Sequence, residues 1–88
     1  MNYTIKTNKH GDKFYYLNKV LHREDGPACK YADGSEYWYK DGKCHREDGP
    51  AIADRSYKEW YLNDKSYGVN NKFTVESWKK FIKTLIFS

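Results

Sequence analysis

No stretch of this sequence approaches the length of a membrane span, and its first residues, Met1-Asn2-Tyr3-Thr4-Ile5-Lys6, hold no apolar run of signal-peptide length. A cytoplasmic protein with no membrane partner is therefore expected. The familiar enzyme signatures are missing too. There is no glycine-rich phosphate loop opening a helix, no Cys-x-x-Cys pair, and no serine or cysteine in a recognisable nucleophile frame. The chain reads as a non-enzyme that needs no cofactor and no metal. Cysteine is scarce, with only Cys29 and Cys44, so a disulfide scaffold of several bridges is excluded. The two prolines, Pro27 and Pro50, fall in one recurring block.

That block organises the chain. His22-Arg23-Glu24-Asp25-Gly26-Pro27-Ala28 returns unchanged as His45-Arg46-Glu47-Asp48-Gly49-Pro50-Ala51, an offset of 23 residues. The register extends backward, with Tyr15-Tyr16-Leu17-Asn18 over Trp38-Tyr39-Lys40-Asp41. A third copy is worn: Trp60-Tyr61-Leu62-Asn63-Asp64-Lys65 repeats Trp38-Tyr39-Lys40-Asp41-Gly42-Lys43 at a spacing of 22, and Tyr67-Gly68 stands where His-Arg would begin. Atypical terminal copies are how stacked arrays close. One domain spans 1–88, divided into repeat 1 (about 13–34), repeat 2 (35–57), a degenerate repeat 3 (58–68) and a C-terminal helix (74–86). In this register Cys29 aligns with Ile52, and Cys44 with Leu21. Both cysteines thus occupy apolar positions and read as reduced core residues, although pairing stays open.

A chain of 88 residues buries a thin core, so aromatics must supply area. Nine Tyr, four Phe and three Trp do so, which makes a folded domain reasonable despite a mean hydropathy of −1.05. The net charge of +4 belongs to the ends: residues 1–20 and 72–88 each carry +3, whereas residues 21–71 carry −2. A nucleic-acid binder would show its basic stripe on the repeated part, so nucleic acid is disfavoured.

Alternation of Tyr3 and Ile5 with polar neighbours suits a short strand from Asn2 to Ile5, followed by a turn at 8–12 and a strand over Lys13–Leu17. Asp33-Gly34 and Asp41-Gly42 read as tight two-residue hairpin turns enclosing one strand, 35–40, flanked by 28–32 and 43–45 as a meander. Period two places Tyr15, Trp38 and Trp60 in one column and Tyr16, Tyr39 and Tyr61 in the other. One column is expected to form the seam between repeats. The other is either covered by the chain's ends or left exposed. Gly26 and Gly49 supply turns, and Pro27 and Pro50 must lie where no ladder bond is needed. From 74 the period lengthens to that of a helix. Val75, Trp78, Phe81, Ile82, Leu85 and Ile86 share one side and Lys79, Lys80 and Lys83 the other, with Thr74 as cap and Glu76 in the first turn. Docked on the open aromatic sheet, this helix serves as a cap with Trp78 and Phe81 inward.

The recurring unit, with its Trp, Asp-Gly-Lys turn, His-led block and later Asp-Gly, resembles a variant of the membrane occupation and recognition nexus (MORN) repeat over roughly residues 13–82. More narrowly it is similar to small repeat proteins of bacteriophages and large viruses that carry the His-Arg-Glu-Asp-Gly-Pro-Ala block. This chain departs from the ordinary family in its charged His-Arg-Glu-Asp tetrad and displaced glycine. The resemblance implies a mainly β, antiparallel meander of hairpin repeats and a role in binding. For a viral chain it implies a host protein as partner, such as a defence or transcription protein to be inhibited or redirected, in the host cytoplasm.

His22, Glu24 and Asp25, with His45, Glu47 and Asp48, have the residue types of metal half-sites, and a metal-dependent hydrolase is the rival from the enzyme class. Adjacent residues on an extended loop point apart, however, and a structural loop is what one expects to find printed twice. The plainer expectation is that Arg pairs with Glu or Asp of the neighbouring copy while His packs on the aromatic seam. Tyr and Trp interleaved with Lys also suit single-stranded bases, and the basic helix a membrane surface. The leading expectation is a protein-binding module contacting its partner through Tyr16, Tyr39, Tyr61, Arg23, Arg46, Glu24 and Glu47. Tyr15, Trp38, Trp60, Gly26, Gly49, Pro27, Pro50, Trp78 and Phe81 are given structural roles. Homo-oligomerisation stays open.

Overall fold

The computed structural model describes residues 2–87, with side chains through residue 85. Strands β1 (Thr4–Thr7), β2 (Lys13–Leu17), β3 (Val20–Leu21), β4 (Cys29–Lys30), β5 (Glu36–Tyr37), β6 (Tyr39–Lys40), β7 (Lys43–Cys44), β8 (Ile52–Ala53), β9 (Lys58–Leu62) and β10 (Lys65–Val69) precede a 3-10 turn at Asn70–Lys72 and helix α1 (Val75–Phe87). The fold is mainly β, an antiparallel meander closed by one helix.

Three hairpin turns mark the repeat. Asn18-Lys19, Asp41-Gly42 and Asn63-Asp64 join β2 to β3, β6 to β7 and β9 to β10, and all six residues have φ between 48° and 78°. Positive φ at both central positions defines the type I′ turn, whose twist matches that of the flanking strands. Only Gly42 takes this conformation without steric cost; Asn18, Asp41, Asn63 and Asp64 tolerate it, and Lys19 adopts it at φ 69°.

Eight strands form the main sheet, in the order β1-β2-β4-β5-β8-β9-β10 with β3 beside β2, while β6 and β7 pair alone. Along one edge of β2 the first half pairs with β4 and the second half closes the hairpin with β3. Lys13 and Phe14 pair with Lys30 and Cys29, whereas Tyr16 and Leu17 pair with Leu21 and Val20. The single strand expected over 35–40 is therefore broken. At Trp38 the chain leaves the main sheet, because Glu36 and Tyr37 pair with β4 and β8 while Tyr39 and Lys40 pair with β7. Asp33-Gly34 is also not a two-residue turn. Only Gly34 has positive φ (94°), the loop closes through Tyr31 N–H to Ser35 O at 2.9 Å, and Asp33 Oδ1 accepts from Ser35 N–H at 2.8 Å. The Asp side chain selects a type I turn with a glycine bulge over the type I′ form. The first strand likewise begins two residues later than expected, at Thr4.

Helix α1 opens with a reciprocal cap: Thr74 Oγ1 accepts from Ser77 N–H at 3.1 Å, and Ser77 Oγ accepts from Thr74 N–H at 2.8 Å. Its inward side chains, Trp78 and Ile82, are buried with Trp60, and Leu62, Tyr67, Phe73 and Phe81 pack around them. Val75 and Leu85 lie on the same stripe but remain exposed, and Ile86 lies outside the described side chains. The helix therefore packs on the last repeat and reaches the second through Trp78 Nε1, which donates to Arg46 O at 3.0 Å. The extents of 42 × 29 × 17 Å describe a slab too thin for a second layer along its length.

Because Trp78 is fully buried at the centre of this cluster, Trp78→Ala is expected to cost about 3–5 kcal/mol by urea unfolding, and the half-buried Phe81→Ala less. Replacing the exposed Lys79, Lys80 and Lys83 by Gln should leave the midpoint nearly unchanged.

Candidate functional site

The two identical loops are built identically. Arg23 and Arg46 lay their guanidinium groups over the rings of Tyr15 and Trp38, at 4.0 and 3.8 Å from the ring centres. Each Arg Nε donates to the Asp two residues on, Asp25 at 3.1 Å and Asp48 at 2.8 Å, and each Nη1 donates to a proline carbonyl, Pro27 at 3.3 Å and Pro50 at 3.2 Å. The glycines follow from this geometry. A Cβ on Gly26 would sit 2.7 Å from Arg23 Cζ, and one on Gly49 2.8 Å from Arg46 Cζ. Beyond the prolines, Ala28 and Ala51 are buried, and their carbonyls accept from Tyr15 and Trp38 N–H at 2.7 Å each.

The arginines thus pair within their own loop, not with the neighbouring copy as the sequence suggested. A carboxylate two residues away on the same loop is reached without ordering a second segment. The histidines make the link between copies. His22 Nδ1 accepts from Asp41 N–H at 2.8 Å, and His45 Nδ1 accepts from Asn63 N–H at 3.1 Å. Accepting at Nδ1 leaves the proton on Nε2; that of His45 meets Glu47 at 2.9 Å, whereas that of His22 is buried among the described residues without a hydrogen-bond partner, 3.7 Å from Glu24. The next turn residue completes the link, with Gly42 N–H donating to Leu21 O at 2.8 Å and Asp64 N–H to Cys44 O at 2.9 Å. Trp38 Nε1, buried among the described residues without an acceptor, contrasts with Trp60 Nε1, which donates to Asn70 O at 3.1 Å.

Arg23, Arg46, His22 and His45 are therefore all engaged in holding the array, and Glu24 and Glu47 are exposed at its rim. Among the described residues, no three His, Cys, Asp or Glu side chains gather as a metal-holding group, and no helix is long and apolar enough to cross a membrane.

The opposite face carries the tyrosines. Phe14, Cys29, Tyr37, Ile52 and Glu59 are successive cross-strand partners and so share one side of the sheet. Strand alternation puts Tyr16 and Tyr61 on that side too, and Tyr39, on β6 beyond the break, stands near Cys44, Cys29 and Tyr31. Phe14, Tyr31 and Tyr37 contact edge to face, at 5.8 and 5.3 Å, and all of these rings are half-buried. Lys6 stands over Tyr16, 5.3 Å from its centre. Period two in the sequence already sets Tyr37 beside Tyr39, whereas Phe14 and Tyr31 were not assigned to this face, although Phe14 aligns with Tyr37 at the repeat offset of 23 residues.

Electrostatics on this face centre on Glu59. Hydrogen bonds from Ser66, Tyr57 and Tyr61 hold its carboxyl below the usual range, while burial and the Glu59 bond push the Tyr61 phenol up to about 12. Cys29 and Cys44 are free thiols. Burial raises both, Cys44 to about 12 with help from the Asp64 carboxylate.

Compared with known proteins, the chain matches no family model, no curated protein and no solved structure.

Gly49→Ala is expected to expel the Arg46 guanidinium and cost about 1–3 kcal/mol, while in an Arg46→Ala background the same change should cost little. Equal costs in both backgrounds, read from a double-mutant cycle in urea, would disprove the stack as the reason for the glycine. The thiols give a second expectation. At pH 8 a disulfide reagent should label Cys29 and Cys44 only as fast as the protein opens. Because both folded-state values are raised, stability should hold below the ordinary thiol range, about 8.5, and fall as pH climbs from there toward about 12.

Proposed function

We propose that this chain is a non-catalytic protein-binding module whose contact surface is the tyrosine face of its sheet. One observation carries the reading: Phe14, Tyr16, Tyr31, Tyr37, Tyr39 and Tyr61 share one side, each half-exposed, while the helix and the arginine loops cover the Trp column on the other. Tyrosines fixed on strands lose little side-chain freedom on binding and offer both area and a hydroxyl. The charges beside them, Lys6 and Glu59, are of both signs, which favours a protein over a polyanion. The contacts that His, Arg and Asp make within and between the loops support a structural role for those residues over a hydrolytic one.

The test compares the immobilised protein with Tyr16→Ser and Tyr37→Ser variants in a lysate of the cells to which the chain is native. A protein retained at fixed stoichiometry by the parent and lost by both variants, at melting temperatures within a few degrees of the parent, is the expected result. Retention of nucleic acid in its place, or capture insensitive to both substitutions, would refute the assignment.

A further inference from the structure

The two ends of the main sheet are unlike. At one end β10 is broken by a bulge between Ser66 and Gly68, and the Lys72 side chain lies against Gly68. At the other, β1 pairs with β2 in unbroken register, from Thr4 opposite Tyr16 to Thr7 opposite Lys13, and all four of its residues are exposed. A bulged edge resists pairing with another chain, whereas a regular one is a template for it. The direction of the free backbone groups follows from β2. Tyr15 N–H donates to Ala28 O at 2.7 Å and Tyr15 O accepts from His22 N–H at 3.1 Å, so Tyr15 turns both groups away from β1. In an antiparallel ladder the alternate pairs, Thr4 with Tyr16 and Lys6 with Phe14, then carry the bonds, and Ile5 presents its N–H and C=O outward.

We propose that this edge takes a strand from a partner protein in antiparallel pairing, and that the strand alternates acidic with apolar residues. Strand addition draws affinity from main-chain bonds and selectivity from alternate side chains. On the tyrosine side, Thr4, Lys6, Tyr16 and Lys19 line an open cleft of about 380 Å³. Its charges are of one sign, and among the described residues neither Lys6 nor Lys19 has a carboxylate partner. The acidic groups nearest in the chain are turned elsewhere. Asp12 accepts from Ala32 N–H at 2.8 Å and from the Asn8 amide at 2.9 Å, and Glu24 lies by His22 on the Trp side. An acidic side chain added beside Thr4 and Lys6 therefore meets two ammonium groups. On the opposite side Ile5, 53% exposed, calls for an apolar neighbour. A second copy's β1 fits poorly: centred on Ile5, it would gather two Lys6 and two Lys19 side chains with no carboxylate among them. The edge touches the tyrosine row only at Tyr16, so this site goes beyond the one proposed above.

The probe is a capped synthetic peptide alternating Glu and Val, titrated into the intact, isotope-labelled protein. Saturable shifts are expected at Ile5, Lys6 and Tyr16, with slower hydrogen exchange of the Ile5 amide. A peptide alternating Lys and Val should bind at least about tenfold more weakly, and a Lys6→Glu/Lys19→Asp protein should reverse that preference. Asp suits the second position, since Asp64 holds it in the third repeat at φ 68°. N-methylation separates strand pairing from charge attraction. The residue opposite Ile5 in an antiparallel pair shares its side, so methyl groups on the valine amides should abolish binding, whereas on the outward glutamate amides they should leave it nearly unchanged. No shift at β1 up to millimolar peptide, no greater loss from methylated valine than from methylated glutamate, or a peptide-free dimer with the Ile5 amide already protected would each overturn the proposal. The Tyr37→Ser protein, altered on β5, should bind the peptide as the parent does, so failure of the tyrosine face leaves this edge standing.

Discussion

Each repeat hangs on a single imidazole acceptor. A type I′ turn aims two successive N–H groups back toward the previous repeat, where a histidine Nδ1 takes one and a backbone carbonyl takes the other. Strands of two residues carry too few ladder bonds to fix their own register, so turn and histidine together supply it. This constraint explains the company the histidine keeps. The glutamate two residues on faces its protonated Nε2, and the arginine beside it stacks on the ring that begins the same repeat.

The third repeat shows what happens when that link is given up. With Tyr67 in place of histidine and Gly68 in place of arginine, the third copy has no imidazole at the linking position, and among the described residues no guanidinium covers Trp60. The ring is covered by Trp78 and Phe73 instead, brought over by a chain reversal that Gly68 permits, since a Cβ there would meet Lys72 Cγ at 2.4 Å. At the other end Tyr3 closes the array, with its ring 5.9 Å from Tyr15 and its hydroxyl accepting from Glu24 N–H at 3.2 Å.

Much of this was legible beforehand. The repeat, the hairpin at 41–42, the terminal helix with its Thr74 cap and the two aromatic columns follow from period and turn chemistry. What was not legible depends on choices between near-equal local options. Asp33-Gly34 and Asp41-Gly42 are the same dipeptide, yet Asp33 bonds the Ser35 amide and so adopts another turn. Arg23 had carboxylates available in its own loop and in the next copy, and only the position of Tyr15 decides between them. The break at Trp38 arises from pairing with two different partners, which no single strand's pattern records. The tyrosine face was half seen, because Tyr31 has no aromatic counterpart at the repeat offset.

The histidine bond between repeats has a fixed sense, the earlier copy supplying the acceptor and the later copy the donor, and the arginine amides answer it in the other sense, Arg23 N–H to Tyr39 O at 3.0 Å and Arg46 N–H to Tyr61 O at 3.2 Å. A ribosome delivers the copies in that same order. Each new hairpin therefore meets a finished loop as it emerges, and α1 follows the third hairpin and packs over it.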